Sequence, residues 1–205
     1  MPENAQGSTT PFLTDVATLR ERARKHMDAG AVTANYGADP NVVVKVLNEA
    51  LATEIVCVLR YKRHYYMAEG IASESVKQEF NQHATEEQDH ADRIAARIVQ
   101  LGGEPDLNPD TLMKRSHSEY VEGTSLVDML REDLVAERIA IESYREIAQW
   151  LHGKDSTTKR LMEEILAVEE EHAEDLKTML EDLGKKGEPA RPADMDKQGN
   201  VRKKK

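Results

Sequence analysis

Between Asn41 and Leu183 apolar residues recur every three or four positions in four long segments, the spacing of amphipathic helices. The first opens at Asp39-Pro40, an N-cap residue followed by proline in the first turn, and runs to Glu69 before Gly70. The second runs from Ser73 to Leu101, before Gly102-Gly103. The third begins at Thr124-Ser125, where Ser125 and Asp128 have capping-box-like spacing, and ends at Leu151 before Gly153. The fourth spans Asp155 to Leu183, before Gly184. Short glycine-containing turns after the first and third segments imply two antiparallel hairpins. Between the second and third lie about 22 residues with Gly102, Gly103, Pro105 and Pro109, enough to cross from one end of a bundle to the other. The pattern predicts an all-α fold, a four-helix bundle with a long crossover between helices two and three.

The chain thus divides into an arm (1–40), the bundle (41–183) and a tail (184–205). Asp15 to Asp28 could form a short amphipathic helix through Val16, Leu19, Ala23 and Met27. The tail has almost no apolar residues and is expected to be disordered.

Each apolar stripe is broken once, near its middle, by a glutamate: Glu54, Glu87, Glu137 and Glu169. His90 and His172 follow the second and fourth of these by three residues, close to the same helix face. In an antiparallel hairpin, residues whose numbers average to the turn lie at one depth. Glu54 and Glu87 average 70.5, beside Gly70, and Glu137 and Glu169 average 153, the number of the second turn glycine. All four carboxylates therefore lie about 16 residues, roughly 24 Å, from a turn. Glu54, Tyr61 and Gly70 recur as Glu137, Tyr144 and Gly153 at a constant offset of 83, so the body reads as two copies of one hairpin.

In a chain with many glutamates and seven histidines, two Glu-x-x-His pairs alone are a weak signal. Four carboxylates in one core layer are a stronger one. Unpaired, each would cost several kcal/mol in ionised form or would take up a proton. Two divalent cations balance the four charges, and two imidazoles complete the donor set. Oxygen and nitrogen donors without thiolate suit iron or manganese.

The remaining composition sets limits. No apolar stretch approaches 18 residues, so no membrane partner is expected, and no apolar run follows a basic N-terminal flank. Cys57 is the single cysteine, which excludes an internal disulfide and a thiolate cluster; a reducing cytoplasm is the expected compartment. Net charge is −10, but the tail carries +5, leaving −15 on the other 183 residues. The basic tail could bind DNA phosphates weakly and without sequence preference, or simply remain solvated.

The stretches NEALATEIVCVLRY, EEQDHADR, LVAERIAIESYREI and EEEHAEDL resemble bacterioferritin and related bacterial ferritin-like proteins over about residues 41–183. That resemblance implies a di-iron centre with two Fe ions per subunit, bridged by Glu87 and Glu169. His90 and His172 would be terminal nitrogen ligands, and Glu54 and Glu137 terminal carboxylates. Tyr61 matches a family tyrosine close to the site, whereas core packing is at least as good a reading of Tyr144. The implied activity is ferroxidase, the oxidation of Fe(II) by dioxygen or hydrogen peroxide, for iron storage and protection from oxidative damage.

Bacterioferritin carries its haem-ligating methionine directly after the Glu of the first Glu-x-x-His; Gln88 stands there, so no haem is expected. The charged, Pro- and Gly-broken tail favours a Dps-like homo-oligomeric dodecamer over a 24-mer. His64 and His83 have no repeat mates and are read as non-ligands; Glu86 and Asp89 could feed iron toward the site or simply be solvated, and solvation is the preferred reading. Two other functions remain open: a di-manganese catalase or peroxidase on the same bundle, and a DNA-binding shell protein whose iron chemistry is secondary.

Overall fold

The structure, a computed structural model, describes residues 14–70 and 73–186. These contain six α-helices and no strand: α1 (Val16–Ala23), α2 (Pro40–Met67), α3 (Ser73–Gln100), α4 (Pro109–Arg115), α5 (Leu126–Trp150) and α6 (Ser156–Lys186). The expected all-α bundle is present. The basic tail beyond Lys186 and the N-terminus up to Leu13 lie outside the described residues. No helix among the described residues is long and apolar enough to cross a membrane.

α2 packs along α3 and α5 along α6, and the hairpins meet through α2 against α5 and α3 against α6. Start signals act as local chemistry requires: Asp39 caps α2 ahead of Pro40, and the Ser125 hydroxyl accepts from the Asp128 amide at 3.2 Å. Two boundaries differ from expectation. α6 continues through Gly184 to Lys186, because that glycine keeps ordinary negative φ instead of turning left-handed to end the helix. The crossover contains α4, where Asn108 caps a two-turn helix that begins at Pro109.

The core is two apolar halves separated by a polar layer. Leu47, Leu51, Ile94, Ile98, Leu151 and Ile165 fill one end, and Val76, Phe80, Leu130 and Leu176 the other. Between them lie the four glutamates. α1 buries none of its residues, and Val16, Leu19 and Met27 are exposed. The arm is anchored further on: Val32, Tyr36 and Ala38 pack on the first half, and the Tyr36 hydroxyl donates to Asp155 at 2.5 Å.

The crossover is bound along one stripe of α2. Asn48 donates to the Glu104 carbonyl and accepts from the Asp106 amide, and Thr53 accepts from the His117 amide. Arg60 donates to the Glu119 carbonyl and, at 2.7 Å, to the buried Asp133 carboxylate. His64 lies 2.8 Å from that same carboxylate and reaches the Val121 and Glu122 carbonyls. Gly103 starts the path because a Cβ there would fall 2.5 Å from the Val44 side chain.

Asp155 ties three elements together, accepting from Thr158, from the Tyr36 hydroxyl and, at both of its oxygens, from Arg97 Nη2. Burial alone would raise its carboxyl, but the hydrogen bonds from Thr158, Tyr36 and Arg97 outweigh it and hold it at about 2. The folded value lies below the unfolded one, so this stabilisation is full above about pH 4 and is lost as pH falls through 2. Asp155→Asn is expected to cost about 2 kcal/mol at pH 7, and the gap from the parent should close near pH 2 in thermal unfolding. A gap independent of pH would contradict this account.

Candidate metal centre

Glu54 projects from α2, Glu87 and His90 from α3, Glu137 from α5, and Glu169 and His172 from α6. All six are at most 2% exposed. They converge as two overlapping quartets, Glu54–Glu87–His90–Glu169 and Glu87–Glu137–Glu169–His172, each with its donor atoms within 4.8 Å of one another. His90 Nδ1 lies 3.4 Å from Glu54 Oε2, 3.4 Å from Glu87 Oε2 and 3.1 Å from Glu169 Oε1. His172 Nδ1 lies 3.6 Å from Glu87 Oε1, 3.3 Å from Glu169 Oε2 and 4.0 Å from Glu137 Oε2. Glu87 and Glu169 therefore offer one oxygen to each half, whereas Glu54 and Glu137 each serve one half.

Within this layer Glu54 Oε2, Glu87 Oε1, Glu137 Oε2, both Glu169 oxygens and both histidine Nδ1 atoms are buried without a hydrogen-bond partner. Leaving a buried polar atom unsatisfied costs about 1–3 kcal/mol, and more when it is charged. Two divalent cations would satisfy these donors, which form an oxygen–nitrogen set of the kind that iron and manganese accept. The residues present fit such a pair of ions.

The surroundings orient the set. His172 Nε2 lies 2.8 Å from Glu86 Oε2; donating there leaves the Nδ1 lone pair facing the glutamates. Glu86 is thus tied to the centre instead of being merely solvated, whereas Asp89 stays exposed, 3.8 Å from Arg93. Tyr61 donates to Glu137 Oε1 and Tyr144 to Glu54 Oε1, so each tyrosine binds the terminal glutamate of the opposite hairpin. Tyr144 is more than packing; its constant offset of 83 from Tyr61 was the signal for the role. His83, set aside from sequence, stacks on His172 with ring centres 3.9 Å apart, and its Nδ1 lies 3.1 Å from the Tyr61 hydroxyl. His64 belongs to the crossover network, and Cys57 is buried as a free thiol.

A bundle with two inward Glu-x-x-His helices and two further glutamates has the architecture of the ferritin-like carboxylate proteins. The Ferritin-like domain family model matches residues 44–185, and the chain belongs to that family. It is 32% identical to bacterioferritin of Brucella melitensis over 149 residues, covering 71% of this chain and 87% of that protein. With the bacterioferritin of Mycobacterium leprae it shares 31% identity, over 73% and 90% of the two chains. Among solved structures, a bacterioferritin-related protein of Bacteroides fragilis, described as a dodecameric thioferritin, superposes with TM-score 0.71 at 36% identity, over 73% and 90% of the chains. Rhodobacter capsulatus bacterioferritin, described with a metal-free dinuclear site and haem iron, gives TM-score 0.65 at 27% identity, over 73% and 89%.

Without cations, burial and the facing Glu87 push Glu54 up to about 8, and burial with Glu87 and Glu169 raises Glu137 well above its usual range. Burial opposes charge on His90 and His172, but the carboxylates around each prevail and push both up to about 12. The folded metal-free protein therefore keeps protons that the unfolded chain releases near 4.5 (Glu) and 6.5 (His). Stability from these groups is full below those values and is lost as pH rises, for Glu54 by about pH 8. Metal-free protein is expected to melt at a lower temperature at pH 8 than at pH 5.5. Mn(II) should raise the melting temperature mainly at pH 8, by about 2.7 kcal/mol in stability at 100 times its Kd. An equal gain at both values would count against cation binding in this layer.

Proposed function

We propose that the protein is a ferroxidase of the bacterioferritin type, serving iron storage and protection from oxidative damage. The observation that carries this reading is the division of roles among the four glutamates, two facing both halves of the centre and two facing one half each. In the proposal one Fe(II) is held by Glu54, His90, Glu87 and Glu169, and the other by Glu137, His172 and the same two shared carboxylates. The dinuclear site named for the Rhodobacter capsulatus relative supports the same assignment.

Fe(II) is the substrate. Two Fe(II) give up one electron each; dioxygen with two protons becomes hydrogen peroxide, or hydrogen peroxide with two protons becomes two waters. The protein's contribution is placement. The shared carboxylates keep two reducing equivalents beside one oxidant. Tyr61 and Tyr144 hold the terminal glutamates by one oxygen each, leaving the second oxygen directed inward. The Glu86 contact keeps His172 Nδ1 available as a donor. The two apolar halves of the core restrict water on either side of the layer.

The proposed assembly is a dodecamer, as named for the Bacteroides fragilis relative at 36% identity. Exposed Leu59, Tyr66 and Val135 on α2 and α5 supply apolar surface that neighbouring subunits could cover. The proposed protein carries no haem: Gln88 offers no thioether and bonds the Asp92 carboxylate at 2.9 Å. Its proposed compartment is the cytoplasm, where Cys57 stays reduced.

Stepwise addition of Fe(II) to metal-free protein is expected to give fast oxidation that saturates at two ions per chain. Glu169→Ala and His90→Ala should each slow that phase at least tenfold. Oxidation no faster than in buffer, or unchanged in both variants, would remove the ferroxidase reading. The purified protein is expected to show no Soret band, and its native mass should correspond to twelve subunits.

A further inference from the structure

His83 is buried, four residues before Glu87 on α3, and is absent from the two central quartets. Its two ring nitrogens have different surroundings. Nδ1 meets the Tyr61 hydroxyl at 3.1 Å, and the Tyr61 proton is already committed to Glu137. With Tyr61 donating to Glu137, Nδ1–H donates to the Tyr61 oxygen and Nε2 is the lone-pair nitrogen of a neutral ring. Nε2 has no hydrogen-bond partner. It points to Glu79 Oε1 at 3.2 Å, one turn earlier on α3, and to Asp175 Oδ2 at 4.0 Å, three residues beyond His172 on α6.

Glu79, His83 and Asp175 bring their donor atoms within 4.8 Å of one another. No lysine or arginine is paired with either carboxylate among the described residues. Burial raises the Glu79 carboxyl, and Asp175 and Glu86 raise it further, outweighing the opposing pull of His172. A nitrogen lone pair facing two carboxylates is repulsive unless a proton or a metal cation lies between them. Both carboxylates are partly open to solvent, at 23% and 46% side-chain exposure, so an ion could arrive hydrated and keep some water.

We propose that Glu79, His83 and Asp175 form a third cation site, for one first-row divalent ion, on the outer side of the α3–α6 seam. One imidazole and two carboxylates suit Fe(II), Mn(II), Co(II) or Zn(II), and open coordination positions suit an ion in transit. The site leads inward through Glu86, which forms a further triad of donors within 4.8 Å with His83 and His172. An ion on Nε2 also locks the Nδ1 proton toward Tyr61 and so sets the direction of the Tyr61–Glu137 hydrogen bond. Only the naming of Fe(II) as the ion in use rests on the ferroxidase reading; the site itself does not.

Co(II) serves as the probe, on the full-length metal-free protein. Equilibrium dialysis is expected to give three ions per chain, falling to two in Glu79→Gln/Asp175→Asn. These near-isosteric changes lie at the partly exposed rim and spare the central layer. Anomalous maps from cobalt-soaked crystals should place the third ion about 2.0–2.1 Å from His83 Nε2. Glu87→Gln/Glu169→Gln, which disables the shared central carboxylates, should keep that outer ion, so the two sites succeed or fail separately. The proposal is overturned if the rim variant binds as many ions as the parent, or if no cobalt density lies at His83.

Discussion

Four carboxylates and two imidazoles occupy one layer in the middle of an apolar core, and most of the molecule is arranged around that cost. In a low-dielectric interior like charges repel strongly, and an ionised carboxylate without partners is poorly tolerated. Each terminal glutamate has one oxygen satisfied by a tyrosine from the opposite hairpin. The oxygens and nitrogens that remain point at one another across two small spaces. Such a layer is held together by cations or, without them, by protons that burial forces onto Glu54 and Glu137. The apolar halves above and below supply the folding energy that lets the layer persist in either state.

Depth imposes topology. With the glutamates at mid-bundle, α2, α3, α5 and α6 must each extend several turns on both sides of the layer. The two terminal glutamates come from α2 and α5, which run antiparallel, so the chain must return along the full bundle between α3 and α5. Asn48, Thr53, Arg60 and His64 bind that return along one stripe of α2. The buried Asp133 on α5 receives both Arg60 and His64, so the network that guides the crossover also joins the hairpins beside the centre. Truncating one partner there would leave an uncompensated buried charge, which costs more than the pair itself contributes.

Pseudo-symmetry carries the site only part of the way. Glu54 and Glu137, Tyr61 and Tyr144, and the two Glu-x-x-His motifs are related by the hairpin repeat. The ring nitrogens are not. His172 faces the partly exposed Glu86 through Nε2 and stacks on His83, so the half of the centre containing it has a polar contact that reaches toward solvent.

Much of this was already written in one dimension. Apolar spacing, Asp39-Pro40, Ser125 and the turn glycines specify long helices and their pairing, because these signals act within one or two turns of chain. Averaging residue numbers across a tight turn placed Glu54 with Glu87 and Glu137 with Glu169, since an antiparallel hairpin leaves no freedom of depth. Beyond the hairpin that logic ends. The opposition of Tyr144 to Glu54, the contact of Glu86 with His172, the pairing of Arg60 and His64 with Asp133, and the meeting of Glu79 and His83 with Asp175 join residues 69 to 96 positions apart in the chain. Each depends on how far one helix is rotated and slid against another. Packing of the whole core decides that rotation, and the period of a single helix does not contain it.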